Sequence, residues 1–190
     1  MAKINANYDK LAAGYLFPEI ARRTNTFLEA NEGVSVMRLG IGNTTEPLPK
    51  AVIAGLHDAV DQMGNVDTYQ GYADGGEGEP EMREALANRY AKYGVEIDAS
   101  EVFVSDGAKA DSANIQSIFG MDNVIAVQDP AYPVYVDSNV IGGRTGEAVD
   151  GQYDGLVYMP CRKENGFMPA VPDQKVDLIY ICSPNNPTGQ

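Results

Sequence analysis

The 190-residue chain carries 27 acidic and 14 basic side chains, a formal net charge of −13, and 44% hydrophobic residues. This is the composition of a globular protein, and the acidity argues against phosphate backbones or anionic lipid as partners, since both need dense Lys and Arg. One histidine, His57, and two distant cysteines, Cys161 and Cys182, exclude a Cys/His zinc site. No run of 18 apolar residues could span a bilayer, and Met1-Ala-Lys-Ile-Asn5 does not begin a signal peptide. A reducing, cytoplasmic setting is the expectation.

Residues 1 to 16 read as an arm with Tyr8, Leu11, Tyr15 and Leu16 as apolar docking points. The stripe Phe17, Ile20, Ala21, Phe27 and Leu28 predicts a first helix to Asn31, with Pro18 in its opening turn and Gly33 beyond its end. Val34–Leu39 reads as a short strand, and residues 40–49, with two glycines and two prolines, as a loop. Val52, Ile53, Leu56, Val60 and Met63 repeat at helical spacing and predict a second helix from Pro49, stopped by Gly64. An acidic, glycine-rich stretch leads to a third helix from Pro80 to Tyr93, ended by Gly94.

From residue 101 the rhythm changes. Strands are expected at Glu101–Ser105, Asn123–Gln128, Leu156–Met159 and Val176–Cys182, with a helix from Gly107 to Phe119 and a short helical piece from Tyr132 to Asn139. Short continuous apolar runs alternating with helices predict an α/β fold with buried parallel strands. Because ligands bind outside the carboxyl ends of such strands, Ser183-Pro-Asn-Asn-Pro-Thr-Gly-Gln190 should begin a functional loop, and the chain is expected to be a fragment of a longer one.

Three segments carry candidate chemistry. Ser105-Asp-Gly-Ala-Lys-Ala110 joins a strand to a helix, and a glycine turn followed by first-turn N–H groups and a lysine suits a phosphate; an ordinary strand-to-helix turn would look the same. Tyr132, between Pro130 and Pro133, could offer a flat face and a hydroxyl to a ring-shaped ligand, or simply be a stiffened tyrosine. The two prolines of Ser183–Gly189 bracket Asn185 and Asn186, so an amide is projected from a strand end with little freedom. His57, beside Asp58 on the second helix, reads as an ordinary helix residue, and no Gly-x-Ser-x-Gly nucleophile elbow is present.

In this order the segments resemble the fold-type I pyridoxal-phosphate aminotransferases, and more narrowly the LL-diaminopimelate aminotransferase family. The narrower resemblance rests on residues 12–23, Leu39-Gly-Ile-Gly-Asn-Thr-Thr-Glu-Pro-Leu-Pro49 and Asp129-Pro-Ala-Tyr-Pro-Val-Tyr-Val-Asp-Ser-Asn-Val140, with Gly143-Arg-Thr-Gly146, Tyr158-Met-Pro-Cys161, Glu164-Asn-Gly166 and the terminal heptapeptide in support. It covers the whole chain but only the first half of the family's usual length. It implies an incomplete major-domain sheet with helices on both faces over residues 48–190. Residues 1–47 would be an arm contributing to a second, small domain.

The resemblance further implies pyridoxal 5′-phosphate as cofactor, with Ala108 and Lys109 at its phosphate, Tyr132 stacked on its ring and Asn186 on its phenolic oxygen. Tyr72 matches a tyrosine reaching the phosphate of a neighbouring subunit, which implies a homodimer. Tyr15 and Gly42 match positions around the substrate, to which Lys109, Tyr132 and Asn186 also belong. The reaction implied is amino transfer between glutamate or 2-oxoglutarate and tetrahydrodipicolinate or LL-2,6-diaminopimelate, in lysine biosynthesis. The family's Schiff-base lysine, ring-nitrogen aspartate and main carboxylate-binding arginine follow the Asn-Pro-Thr-Gly motif, so the 190 residues contain no catalytic lysine and the isolated chain is expected to be inactive. Residues 71–80 depart from the family's usual loop, as do Asn43, Ala110, Ser112 and Ala113 from its usual residues. The competing readings are another fold-type I aminotransferase or carbon–sulfur lyase, or a non-catalytic cofactor-binding or dimerisation fragment.

Overall fold

A computed structural model describes residues 1–11, 16–40, 42, 44–72 and 75–190. Tyr15 lies outside the described residues. The chain divides into two compact units, one of Met1–Leu16 with Ser105–Gln190, the other of Phe17–Val104.

The Phe17–Val104 unit is helical. Helix α1 spans Leu16–Ala30, α2 Lys50–Met63 and α3 Pro80–Ala91. Their ends follow the expected punctuation. Gly64 closes α2 by donating its N–H to the Val60 carbonyl at 3.1 Å, Pro80 occupies the first turn of α3, and Gly94 beyond α3 takes φ +79°. On α1, Glu19 bonds both Arg22 and Arg23 at 2.7 to 2.8 Å, and these guanidinium partners lower its carboxyl to about 2.

Two predicted strands do not form. Residues 34–39 and 102–105 enter no ladder among the described residues, and the Val104 N–H goes instead to the Glu77 carbonyl at 2.8 Å. A strand exists only through a neighbour that takes its alternate N–H and C=O groups, and neither segment pairs with one among the described residues.

The other unit is α/β, as expected. Its elements are α4 (Ala108–Asn114), continued as a 3₁₀ turn over Ile115–Ile118, then β1 (Ile125–Asp129) and α5 (Pro133–Ile141). A hairpin of β2 (Ala148–Val149) and β3 (Gln152–Tyr153), β4 (Leu156–Pro160) and β5 (Leu178–Tyr180) follow. The sheet runs β4-β1-β5, all parallel, with Ile125 to Asp129 opposite Leu156 to Pro160, and Ile125 to Val127 opposite Leu178 to Tyr180. Central β1 is the core: Ile125, Ala126, Val127 and Gln128 are all buried, together with Val140 of α5 and Met159 of β4. The hairpin was not predicted, although its turn residues, Asp150 and Gly151, have φ +51° and +83°, the left-handed pair that a two-residue hairpin turn requires.

The first eleven residues fold onto this unit. A 3₁₀ turn over Ala6–Lys10 is held by Asn5 Nδ2 on the Ile141 carbonyl (2.8 Å), Lys10 Nζ on the Thr145 carbonyl (2.8 Å) and the Tyr153 hydroxyl on the Lys10 carbonyl (2.9 Å). Among the described residues no helix is long and apolar enough to cross a membrane.

Candidate active site

The chain leaves β1 for β4 on one side and later returns to β5 on the other. The sheet therefore has a switch point at the carboxyl end of β1, where a crevice opens in parallel α/β sheets. Three of the predicted segments meet there.

The first is the turn into α4. Gly107 has φ +144° and ψ +154°, a backbone conformation that a Cβ would penalise, so the turn depends on glycine at this position. Gly107 N–H donates to Ser105 Oγ at 3.3 Å, and the Ser105 hydroxyl donates to Asp111 Oδ2 at 2.5 Å. This local network sets the direction in which α4 starts and hence where Ala108 and Lys109 lie. Lys109 Nζ stands 5.6 Å from the centroid of the Tyr132 ring, a cation–π distance that joins the first segment to the second.

Tyr132 is the residue before α5 and is half-buried. Its ring meets Tyr135 edge-on at 6.1 Å, and Tyr135 in turn stacks on Tyr180 of β5 at 5.4 Å. Burial pushes the Tyr135 hydroxyl above its ordinary range, with Cys182 adding to the effect. Tyr135 and Tyr180 were not among the sequence candidates. Tyr135 lies three residues after Tyr132 in the same quoted segment, whereas nothing local marks Tyr180.

The third segment follows β5. Asn185 is 3% exposed and its Nδ2 donates to the Pro130 carbonyl and to Thr188 Oγ1, each at 3.1 Å, which ties the heptapeptide to the stretch that carries Tyr132. Asn186, the predicted ligand, is exposed. Of the remaining candidates, Gly42 and Tyr72 belong to the other unit and are exposed, Tyr72 fully so.

The end of β1 is also braced laterally. Arg162 donates from Nη1 to the Asp129 carbonyl at 2.5 Å and from Nη2 to Asp129 Oδ2 at 2.7 Å, and Gln152 Nε2 reaches the same carboxylate oxygen at 3.1 Å. Charge-assisted bonds of this kind are stronger and more directional than neutral ones.

The assembled groups are a helix start with a lysine, an aromatic face and a projecting amide. They suit a phosphorylated aromatic ring with a phenolic oxygen: cationic and N–H donors for the dianion, a π-surface for the ring, an amide for the oxygen. Buried Asn185 Oδ1, an acceptor without a hydrogen-bond partner, lies beside them. Among the described residues no cluster of His, Cys, Asp and Glu could hold a metal ion.

Residues 34–190 match the family model described as aminotransferase class I and II. Among solved structures, the chain is similar to L,L-diaminopimelate aminotransferase from Chlamydomonas reinhardtii, with 44% identity over 99% of this chain and 46% of that one, and a TM-score of 0.85. It is also similar to BacF from Bacillus subtilis (26% identity, 99% and 46% coverage, TM-score 0.73). Alanine aminotransferase from Pyrococcus furiosus shares the fold at 22% identity (100% and 46% coverage, TM-score 0.74). The chain thus spans less than half the length of each of these proteins.

Proposed function

The chain belongs to the class I and II aminotransferases, and from that membership we propose that it forms the cofactor-holding part of an enzyme moving an amino group between glutamate and tetrahydrodipicolinate, with LL-2,6-diaminopimelate as product. Its parallel sheet and helices are part of the pyridoxal-phosphate-dependent fold type I, and the family's cofactor is pyridoxal 5′-phosphate. The 44% identity to the Chlamydomonas reinhardtii protein supports the substrate choice and, with it, a place in lysine biosynthesis.

The observation that carries the reading is the meeting of Lys109, Tyr132 and the Asn185–Asn186 pair at the carboxyl ends of β1 and β5. When bound there, the cofactor supplies an electron sink that acidifies the α-carbon proton of the amino donor. Lys109 and the first turn of α4, beginning at Ala108, hold the phosphate. Tyr132 covers one face of the ring, excludes water from it and fixes its tilt. Asn186 donates its amide to the phenolic oxygen and so favours the ionised form of that oxygen. Tyr72, exposed in this chain, reaches the phosphate site of a second copy in a homodimer, while Tyr15 and Gly42 border the substrate. Lys109, Tyr132 and Asn186 line the substrate's side of the same crevice.

The test uses the full-length protein with Tyr132→Ala and Asn186→Ala. Asn186→Ala should shift the visible absorption of the bound cofactor, and Tyr132→Ala should weaken its binding roughly tenfold or more. Unchanged spectra and affinity in both variants overturn the assigned ring contacts. Amino transfer from glutamate to several oxo acids but none to tetrahydrodipicolinate overturns the substrate while leaving the enzyme class intact.

A further inference from the structure

The last backbone pair between β1 and β5 is Val127 with Tyr180, yet the two strands remain joined beyond it. Gln128, 3% exposed, accepts the Cys182 N–H on its Oε1 at 2.7 Å. Two residues beyond Gln128 and three beyond Cys182, buried Asn185 donates to the Pro130 carbonyl at 3.1 Å. Both segments bend just beyond the ladder, at Pro130 and at Ser183–Pro184, and two side-chain amides carry the pairing on.

We propose that Gln128 and Asn185 are positioning residues that extend the β1–β5 ladder by two side-chain rungs and thereby fix the separation of Tyr132 from Asn186. The proposal rests on the cofactor reading above. Tyr132 lies two residues after Pro130 and Asn186 one residue after Asn185, so each ligand group is attached directly to a rung. Each amide is buried, and a buried amide deprived of its partner carries the full desolvation cost of the group left unpaired. The same Asn185 amide reaches Thr188 Oγ1, while Gly189 N–H donates to the Asn185 carbonyl and Asn185 N–H to the Gln190 carbonyl, each at 2.7 Å. Asn185 therefore closes the heptapeptide on itself as well as onto β1, and Asn186 is carried on a loop held from both sides. Of the adjacent asparagines, the exposed one contacts the ligand and the buried one aims it.

The experiment compares wild type, Gln128→Met, Gln128→Glu and Asn185→Leu in the full-length protein, with pyridoxal phosphate as the probe. Gln128→Met and Asn185→Leu keep approximate volume and remove the bonds, whereas Gln128→Glu keeps an acceptor for the Cys182 N–H. Readouts are the dissociation constant of the cofactor, the circular dichroism induced in its visible band, and the melting temperature of the cofactor-free protein. Gln128→Met and Asn185→Leu should each weaken cofactor binding roughly tenfold and change the induced dichroism, with Gln128→Glu restoring the wild-type dichroism. A lowered melting temperature with affinity and dichroism unchanged makes the amides structural only and overturns the proposal, as does a Gln128→Glu protein indistinguishable from Gln128→Met. If Gln128→Met does not fold, Asn185→Leu decides by the same criteria. Wild-type protein that fails to bind pyridoxal phosphate overturns the cofactor reading instead, and the two failures are thereby distinguished.

Discussion

Strand β1 and helix α2 are both rich in branched apolar residues, and the chain uses them in opposite ways. In β1, Ile125, Ala126 and Val127 are at most 1% exposed, flanked by β4 and β5. In α2, Val52, Ile53, Leu56, Val60 and Met63 are all exposed, Val60 at 67%, and none of the described residues from 17 to 104 is buried. An apolar stripe at helical spacing is thus a demand for a partner and no guarantee of one. A 14-residue helix without tertiary packing is marginal in water, so the exposed stripe of α2 is a face that needs a partner.

The contrast is broken or sharpened first by truncation. Ile125→Ala should cost about 2–5 kcal/mol, as expected for a large-to-small change in a packed core. Val60→Ala should change stability by less than about 0.5 kcal/mol, because little burial is lost and alanine favours helix. Urea unfolding of both variants decides, and a Val60→Ala loss as large as that of Ile125→Ala would end the distinction.

A smaller effect is expected from Arg144, which follows α5 and donates to the carbonyls of Gln116, Phe119 and Gly120 at 2.6 to 2.9 Å, closing the 3₁₀ turn after α4. Arg144→Ala should lower stability by about 1.5–3 kcal/mol, since carbonyls at a helix end lose a charged donor. Near-zero loss in the same urea experiment would show that water replaces the guanidinium without penalty.

The smallest effect concerns pH. Burial raises the Asp137 carboxyl on α5 above its ordinary range, which means the folded state binds the proton more tightly than the unfolded one. Its contribution to stability is full below the ordinary carboxylate pKa and is lost as the pH rises through the raised value. Asp137→Asn should therefore raise the melting temperature at pH 7 and leave it little changed at pH 3. An equal shift at both values would refute burial as the cause.

The legible features were those encoded locally. Pro80, Gly64 and Gly94 marked helix limits because proline and glycine act through their own backbone preferences, with no distant partner needed. The strands at 125–129, 156–160 and 178–180 were legible as short apolar runs, whereas residues 34–39 and 102–105 have similar composition and form none. The Asp150-Gly151 turn was readable in principle, but its two-residue strands are too short to show alternation. In the site, the segments Ser105–Ala110, Asp129–Tyr135 and Ser183–Gly189 were legible from motif order, while the contacts of Gln128, Tyr180 and Arg162 were not. Their contribution is a contact with a residue distant in sequence, as Gln128 with Cys182 or Arg162 with Asp129.

The sequence by itself determined the family and the parallel α/β character of residues 105–190, because each depends on residue types in a fixed local order. Tertiary structure alone decided which apolar runs became buried strands and which stayed exposed, and which of two adjacent asparagines faces outward. The physical reason is common to both: burial and hydrogen-bond pairing belong to two segments at once, and a single segment specifies only its half of the pair.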